Sequence, residues 1–530
     1  MARIPRSRLC GMHAILPLAA AALAAASAQA GRPGPSFRDR CLAFDPRVHI
    51  PGGGADVALN RLEHVAAGAT LAFPDNDASC NRPAQAVAAD LCRVALAVPT
   101  SPRSGFTYEL WLPENWNGRT LATGNGGLDG CVKYEDIAYG AANGFARLHT
   151  SVEIGKALAA AFYGAEAGKS YYIGCSLGGR QGIGAAARFP ADFDGVVAGA
   201  PAVDFNSLYA WRASFLPATG AAGSAGFVAP ETWKTTVHDE VLRQCDAAID
   251  GVADGIIEDP TLCRVDTTKL LCNGSASASA SNASSTTGCL SAAQVDVVTA
   301  VFADYTWPDG TLLYPRPNPG GEILAADGLY AGKPYGPSAD WFKYAVLGDP
   351  AWDPAAYTRA DAAAAARRDP AGIATWPASL APFRARGGRV VTYHGQQDQQ
   401  ISSLNSARFW ARLAAGDDGD DLDAFYRLFR IPGMNHCAGG PGAWAVGQGG
   451  SAPAYAIPFD AAHNVLAAVV DWVEKGRAPD TIVGTKFVGD SVDAGVAYRH
   501  RHCRYPYRST YSGEGDPLDV ESWDCVNFGA

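Results

Sequence analysis

The chain reads as an α/β protein with a doubly wound, mostly parallel sheet and one large insertion. Three observations point there. Short apolar runs alternate with helical stretches, and several runs end in glycine. One run passes through Gly174-Cys175-Ser176-Leu177-Gly178-Gly179 directly into a helical segment. The alternation then stops between about 203 and 380 and resumes afterwards. In chain order, Arg93–Val98 and Phe106–Leu112 alternate as strands do, with Pro113 ending the second. Thr120–Thr123 runs into the glycine-rich Gly124-Asn125-Gly126-Gly127, and Ser170–Ile173 leads into the Gly174–Gly179 turn. A helix is expected from Arg180 through Arg188, then buried strands at Asp194–Pro201, Arg389–Gly395 and Phe425–Arg430.

The interrupting segment holds six of the twelve tryptophans: Trp211, Trp233, Trp307, Trp341, Trp352 and Trp376. It also carries a Ser/Ala/Thr-rich tract at 274–288, the Pro315 to Gly321 cluster, and sequons at Asn273 and Asn282. A loop of that length inside one sheet must have its own structure. The expected organisation is a first catalytic segment at 31–202, a lid at 203–380 with its tryptophans in its own core, and a second catalytic segment at 381–530.

Residues 1–30 carry Arg3, Arg6 and Arg8, an apolar run from Ala14 to Ala26, and Ala28-Gln29-Ala30, the pattern of a cleavable export signal. The run is too short and too alanine-rich for a convincing membrane span. Removing Cys10 with the signal leaves twelve of the thirteen cysteines, an even number that favours disulfides in an exported chain, secreted or periplasmic. The net charge of −10 is mild for 530 residues, and no basic patch interleaved with aromatics suggests nucleic acid.

A serine hydroxyl needs a base, and the base an orienting acid, before it attacks at neutral pH. Strand, Gly-x-Ser-x-Gly and helix together form the sharp turn that holds a serine clear of the backbone, which makes Ser176 the expected nucleophile. In sheets of this kind the acid and then the base follow in chain order. Asp398 lies just past the strand ending at Gly395. His436 follows the next strand, in Met434-Asn435-His436-Cys437. His394 competes as base, but it precedes the acid and sits at a strand end, so a structural role is expected for it. The oxyanion would be held by the backbone N–H groups of Leu177 and of a residue in the glycine loop, Gly127 in preference to Gly126. A cysteine precedes the serine and another follows the histidine. A disulfide between Cys175 and Cys437 would clamp nucleophile and base together.

These residues, GCSLGGRQG, HGxxD and the MNHC-type end, resemble the secreted tannase and feruloyl esterase family, which also includes a terephthalate-monoester hydrolase. The resemblance covers nearly the whole mature chain. It implies an α/β-hydrolase fold with a lid, Ser176, Asp398 and His436 as triad, and hydrolysis of carboxylic esters of aromatic acids such as gallate or hydroxycinnamates through an acyl-enzyme. The implied partner is a small-molecule or plant-polymer aromatic ester. The implied disulfides are Cys175–Cys437, Cys41–Cys92, Cys80–Cys131, Cys245–Cys263, Cys272–Cys289 and Cys503–Cys525. Local spacing alone supports the last three; the sequence by itself does not select Cys41–Cys92 or Cys80–Cys131. The competing readings are a lipase or peptidase and a catalytically silent, hydrolase-shaped binding protein.

A second constellation, Asp246 through Ile256, gathers carboxylates and glycine turns of the kind that suit calcium, without the EF-hand spacing. The resemblance implies a structural Ca²⁺ held by Asp246, Asp250, Asp254 and the carbonyls of Val252 and Ile256. This chain has one more residue between the first two acids than the family pattern, which leaves Asp246 the open member of the set.

Overall fold

A computed structural model describes residues 34–148, 152–272, 288–416 and 419–527. The segment 1–30, expected to be an export signal, and the sequons at Asn273 and Asn282 lie outside the described residues. Nine strands form the main sheet: β1 (Ala58–Val65), β2 (Leu91–Ser101), β3 (Ser104–Pro113), β4 (Arg119–Thr123), β5 (Ala146–Leu148), β6 (Lys169–Cys175), β7 (Gly195–Gly199), β8 (Arg389–Gly395) and β9 (Tyr426–Ile431). Their order across the sheet is β1-β2-β3-β5-β4-β6-β7-β8-β9. From β5 to β9 all neighbours are parallel, whereas β1, β2, β3 and β5 pair antiparallel. The mostly parallel sheet expected from sequence thus has an antiparallel flank. The reason is length: only two residues separate β2 from β3, enough for a hairpin but far too few for a parallel crossover.

Side chains alternate across the central strands. Tyr172, Val196, Val390, Tyr426 and Leu428 enter one core, under the helices Val152–Tyr163, Leu177–Arg188 and Leu404–Ala414. Tyr171, Ile173, Val197, Val391 and Phe429 enter another on the opposite face, under the helix Val465–Lys475. Helices on both faces explain why these strands read as continuous apolar runs.

The insertion has a core of its own, built around Trp211, Trp233, Trp341, Phe342 and Tyr330, with Trp307 and Trp352 packed against it. Trp376 departs from that expectation. It packs on the core of the main sheet, its ring centroid 5.3 Å from that of Phe409. Leu177, Ala202 and Ile401, which follow the carboxyl ends of β6, β7 and β8, belong to the insertion's core. The insertion therefore lies over the end of the sheet where parallel α/β folds place their ligands. Among the described residues, no helix is long and apolar enough to cross a membrane.

Candidate active site

The turn after β6 holds Ser176 at φ +63°, ψ −122°, a backbone conformation that L-residues rarely adopt. Its N–H donates to the Gly199 carbonyl at 2.9 Å, and its carbonyl accepts from the N–H of Ala202 at 3.0 Å. The side chain makes no capping bond to the helix Leu177–Arg188 that starts immediately after it, so the hydroxyl is free for chemistry. The neighbouring glycines are required by contact. A Cβ on Gly179 would stand 2.3 Å from the Gly199 oxygen, and one on Gly174 would stand 2.8 Å from the Gly178 carbonyl carbon. The glycines let the helix approach close to the sheet, and that approach fixes where the serine stands.

Asp398 leaves the loop after β8 fully buried. Its Oδ1 accepts the N–H groups of Gln400 at 2.7 Å and Ile401 at 2.8 Å. Its Oδ2 lies 2.7 Å from Nδ1 of His436 and 3.1 Å from Nε2 of His394. Burial opposes ionisation, but His436 and His394 outweigh it and hold the carboxyl well below the usual carboxylate range. With Nδ1 of His436 committed to Asp398, Nε2 is the ring nitrogen left for a serine proton. The His436 N–H donates to Gln399 Oε1 at 3.1 Å.

Cys175 and Cys437 are joined by a disulfide that spans 262 positions of sequence and ties the residue before the serine to the residue after the histidine. The other cysteines pair as Cys41–Cys92, Cys80–Cys131, Cys245–Cys263, Cys272–Cys289 and Cys503–Cys525. These are the six pairs the resemblance implies.

Ser176, His436 and the Cys175–Cys437 bridge line one cavity of about 290 Å³, with Gly126, Gly127 and Leu177 beside them. The insertion contributes Phe205, Tyr209, Arg212 and Tyr335 to its walls. Sequence reasoning missed these residues, and Lys133 with them. Phe205, Tyr209 and Arg212 share one face of a helix buried nearly all round, so periodicity could not separate a cavity wall from core. A larger cavity of about 570 Å³ lies against β2 and β3 and contains neither the serine nor the histidine.

The acidic loop follows the helix His238–Asp250. Asp246 Oδ2 accepts from Gly255 N–H at 3.0 Å, and Asp250 and Asp254 accept from Val252 and Ile256 N–H at 2.9 Å each. Oδ1 of Asp246 is buried without a hydrogen-bond partner. Burial, with repulsion from Asp246 and Glu258 and, for Asp254, from Asp250 as well, pushes the Asp250 and Asp254 carboxyls up to about 6. Among the described residues, no group of three or more His, Cys, Asp or Glu side chains is placed to hold a metal ion. The orphaned Asp246 oxygen, beside acids that repel it, is the one feature here whose chemistry a hard cation would satisfy.

A strained serine between a parallel strand and a helix, with an acid and a histidine following in order, is the arrangement of an α/β-hydrolase. The family described as tannase and feruloyl esterase matches residues 139–342 and 357–526. A probable feruloyl esterase B-2 of Aspergillus flavus is 49% identical over 503 residues, covering 89% of this chain and 94% of that protein. The crystal structure of feruloyl esterase B from Aspergillus oryzae superposes with a TM-score of 0.85 at 41% identity, covering 93% of this chain and all of that one. Tannin acyl hydrolase from Aspergillus niger, at 19% identity and a TM-score of 0.68 over 92% of this chain and 95% of that one, shares the fold. This chain belongs to the tannase and feruloyl esterase family and is a carboxylic ester hydrolase.

Proposed function

We propose that the chain hydrolyses esters of aromatic acids through an acyl-enzyme on Ser176. His436 takes the hydroxyl proton as the serine oxygen bonds to the ester carbon, then returns it to the departing alkoxy oxygen as that C–O bond breaks. Water repeats the sequence in reverse and frees the acid. Asp398 holds the imidazole by its Nδ1–H and stabilises it when protonated. The N–H groups of Leu177 and Gly127 receive the oxyanion. The observation that carries this reading is the 2.7 Å contact between His436 and Asp398, in a cavity shared with Ser176. Support for an aromatic acyl group comes from Phe205, Tyr209 and Tyr335 in the cavity wall and from the feruloyl esterases named above.

The acidic loop is read as a structural calcium site: Asp246, Asp250 and Asp254 would supply carboxylates and Val252 and Ile256 carbonyls. The six disulfides support export to an oxidising compartment.

The test is kcat/KM on methyl ferulate, methyl caffeate, methyl gallate, mono-hydroxyethyl terephthalate, and short- and long-chain p-nitrophenyl esters. An aromatic-acid ester is expected to lead. Equal or faster turnover of long acyl chains would make the protein a lipase instead. A fluorophosphonate should label the wild type and leave Ser176→Ala unlabelled; folded wild type that resists labelling would fit a silent binding protein.

A further inference from the structure

The insertion reaches the loop that carries the acid as well as the cavity. Its segment from Arg316 to Glu322 lies across residues 396–403. Asn318, 3% exposed, donates from its amide nitrogen to Gln396 Oε1 at 3.1 Å and to Ser403 Oγ at 2.5 Å. Its amide oxygen accepts from Ser402 Oγ at 3.3 Å, and Ser403 Oγ in turn donates to Gln396 Oε1 at 2.6 Å. One buried amide thus joins Gln396, two positions before Asp398, to Ser402 and Ser403 just after it. Between those points lie the Gln400 and Ile401 N–H groups that hold Asp398 Oδ1.

The lid fixes the clasp from behind. Glu322, 1% exposed, accepts from Gly320 N–H at 2.8 Å and meets His238 Nδ1, on the lid helix, at 2.7 Å. Gly320 sits at φ +101°, and a Cβ there would stand 3.0 Å from Gln397 Nε2, so only glycine lets the turn lie this close to the acid loop.

We infer that Asn318 is a positioning residue for the catalytic carboxylate, so that the lid completes the acid loop as well as walling the cavity; this rests on the triad proposed above. The amide closes both ends of a loop whose backbone donors orient Asp398, and a displacement of about 1 Å in a catalytic group can lower rate on the order of a hundredfold. Substrate need not touch Asn318 for this to act.

The test compares wild type, Asn318→Ala and Gly320→Ala, with folding checked by circular dichroism and thermal melts. Folded Asn318→Ala should lose about 10- to 100-fold in kcat while KM stays within about threefold, and fluorophosphonate labelling should slow in proportion. Gly320→Ala should give the same pattern without altering any side chain of the network. A folded Asn318→Ala with wild-type kcat and wild-type labelling rate would overturn the inference, as would a rise in KM alone. If wild type itself is not labelled at Ser176, the triad reading falls first.

Discussion

His394 Nε2 lies 3.1 Å from Oδ2 of Asp398, the same oxygen that meets His436 Nδ1 at 2.7 Å. Nε2 of His394 also lies 3.1 Å from the Ile401 carbonyl, an acceptor only, so that nitrogen carries a proton, and Nδ1 lies 2.7 Å from Ser406 Oγ. Two imidazoles serve one carboxylate, one behind it in the core and one at the cavity.

Replacing them should have different effects. His394→Ala leaves buried partners unsatisfied and should lower stability by about 2–4 kcal/mol while kcat stays within roughly tenfold of wild type. His436→Ala should lower kcat by on the order of 10⁴ or more with little change in melting temperature. Denaturant melts paired with kinetics check both; equal kinetic damage from the two would make His394 part of the proton path.

The bridge between Cys175 and Cys437 should govern geometry. Closing a loop of 262 positions could contribute roughly 5 kcal/mol as an upper value in the chain-entropy description. The Cys175→Ala, Cys437→Ala double variant should remain folded at 25 °C with kcat greatly reduced and KM little changed. Wild-type turnover in that folded variant would reduce the bridge to a staple.

For the acidic loop, the sign of a mutational effect should depend on calcium. Asp250 and Asp254 repel their neighbours and are pushed up to about 6, so in chelator Asp250→Asn should raise the melting temperature. In calcium it should lower it, because a bound ion adds RT ln(1 + [L]/Kd), about 2.7 kcal/mol at a hundredfold excess over Kd. Melts in the two buffers decide; a wild type indifferent to calcium removes the site.

His502 is buried with Nε2 at 2.8 Å from the Ala443 carbonyl, and burial, helped by His500, lowers it from 6.5 to about 3. A depressed value means that the unfolded chain binds the proton first as pH falls below 6.5. Stability present above that pH is therefore lost on acidification, at no more than about 1.4 kcal/mol per pH unit for this group. His502→Gln should make that acid slope shallower between pH 6.5 and 4. Parallel urea-stability curves for the two proteins would contradict it.

Glycines on the helix after the serine should not be equivalent. Gly179→Ala drives a methyl into the Gly199 oxygen and should yield misfolded or inactive protein. Gly184 meets nothing closer than Thr375 at 3.7 Å, so Gly184→Ala should stabilise by up to about 1 kcal/mol and keep full activity. Thermal melts and activity of the two variants check the contrast.

Much of this was legible in the chain because local chemistry dictates it. The runs at Ser170–Ile173 and Arg389–Gly395 are buried on both faces, so their apolar content declared them, and glycine was needed wherever helix met strand around Ser176. Asp398 and His436 could be placed because each follows a strand. What escaped was non-local. The strand Ala58–Val65 has its register shifted between Leu59 and Arg61 and only Val65 buried, which erases the period. The second contact of Asp398, the clasp of Asn318 and the walls at Tyr209 and Arg212 depend on how the insertion docks, which no spacing encodes.

The bond between Cys175 and Cys437 also orders events in time. A chain kept reduced carries its nucleophile and its base on segments with no covalent tie between them. Oxidation is the step at which they become fixed neighbours. If the bond governs turnover as predicted above, hydrolytic competence would begin only where an oxidising environment closes it.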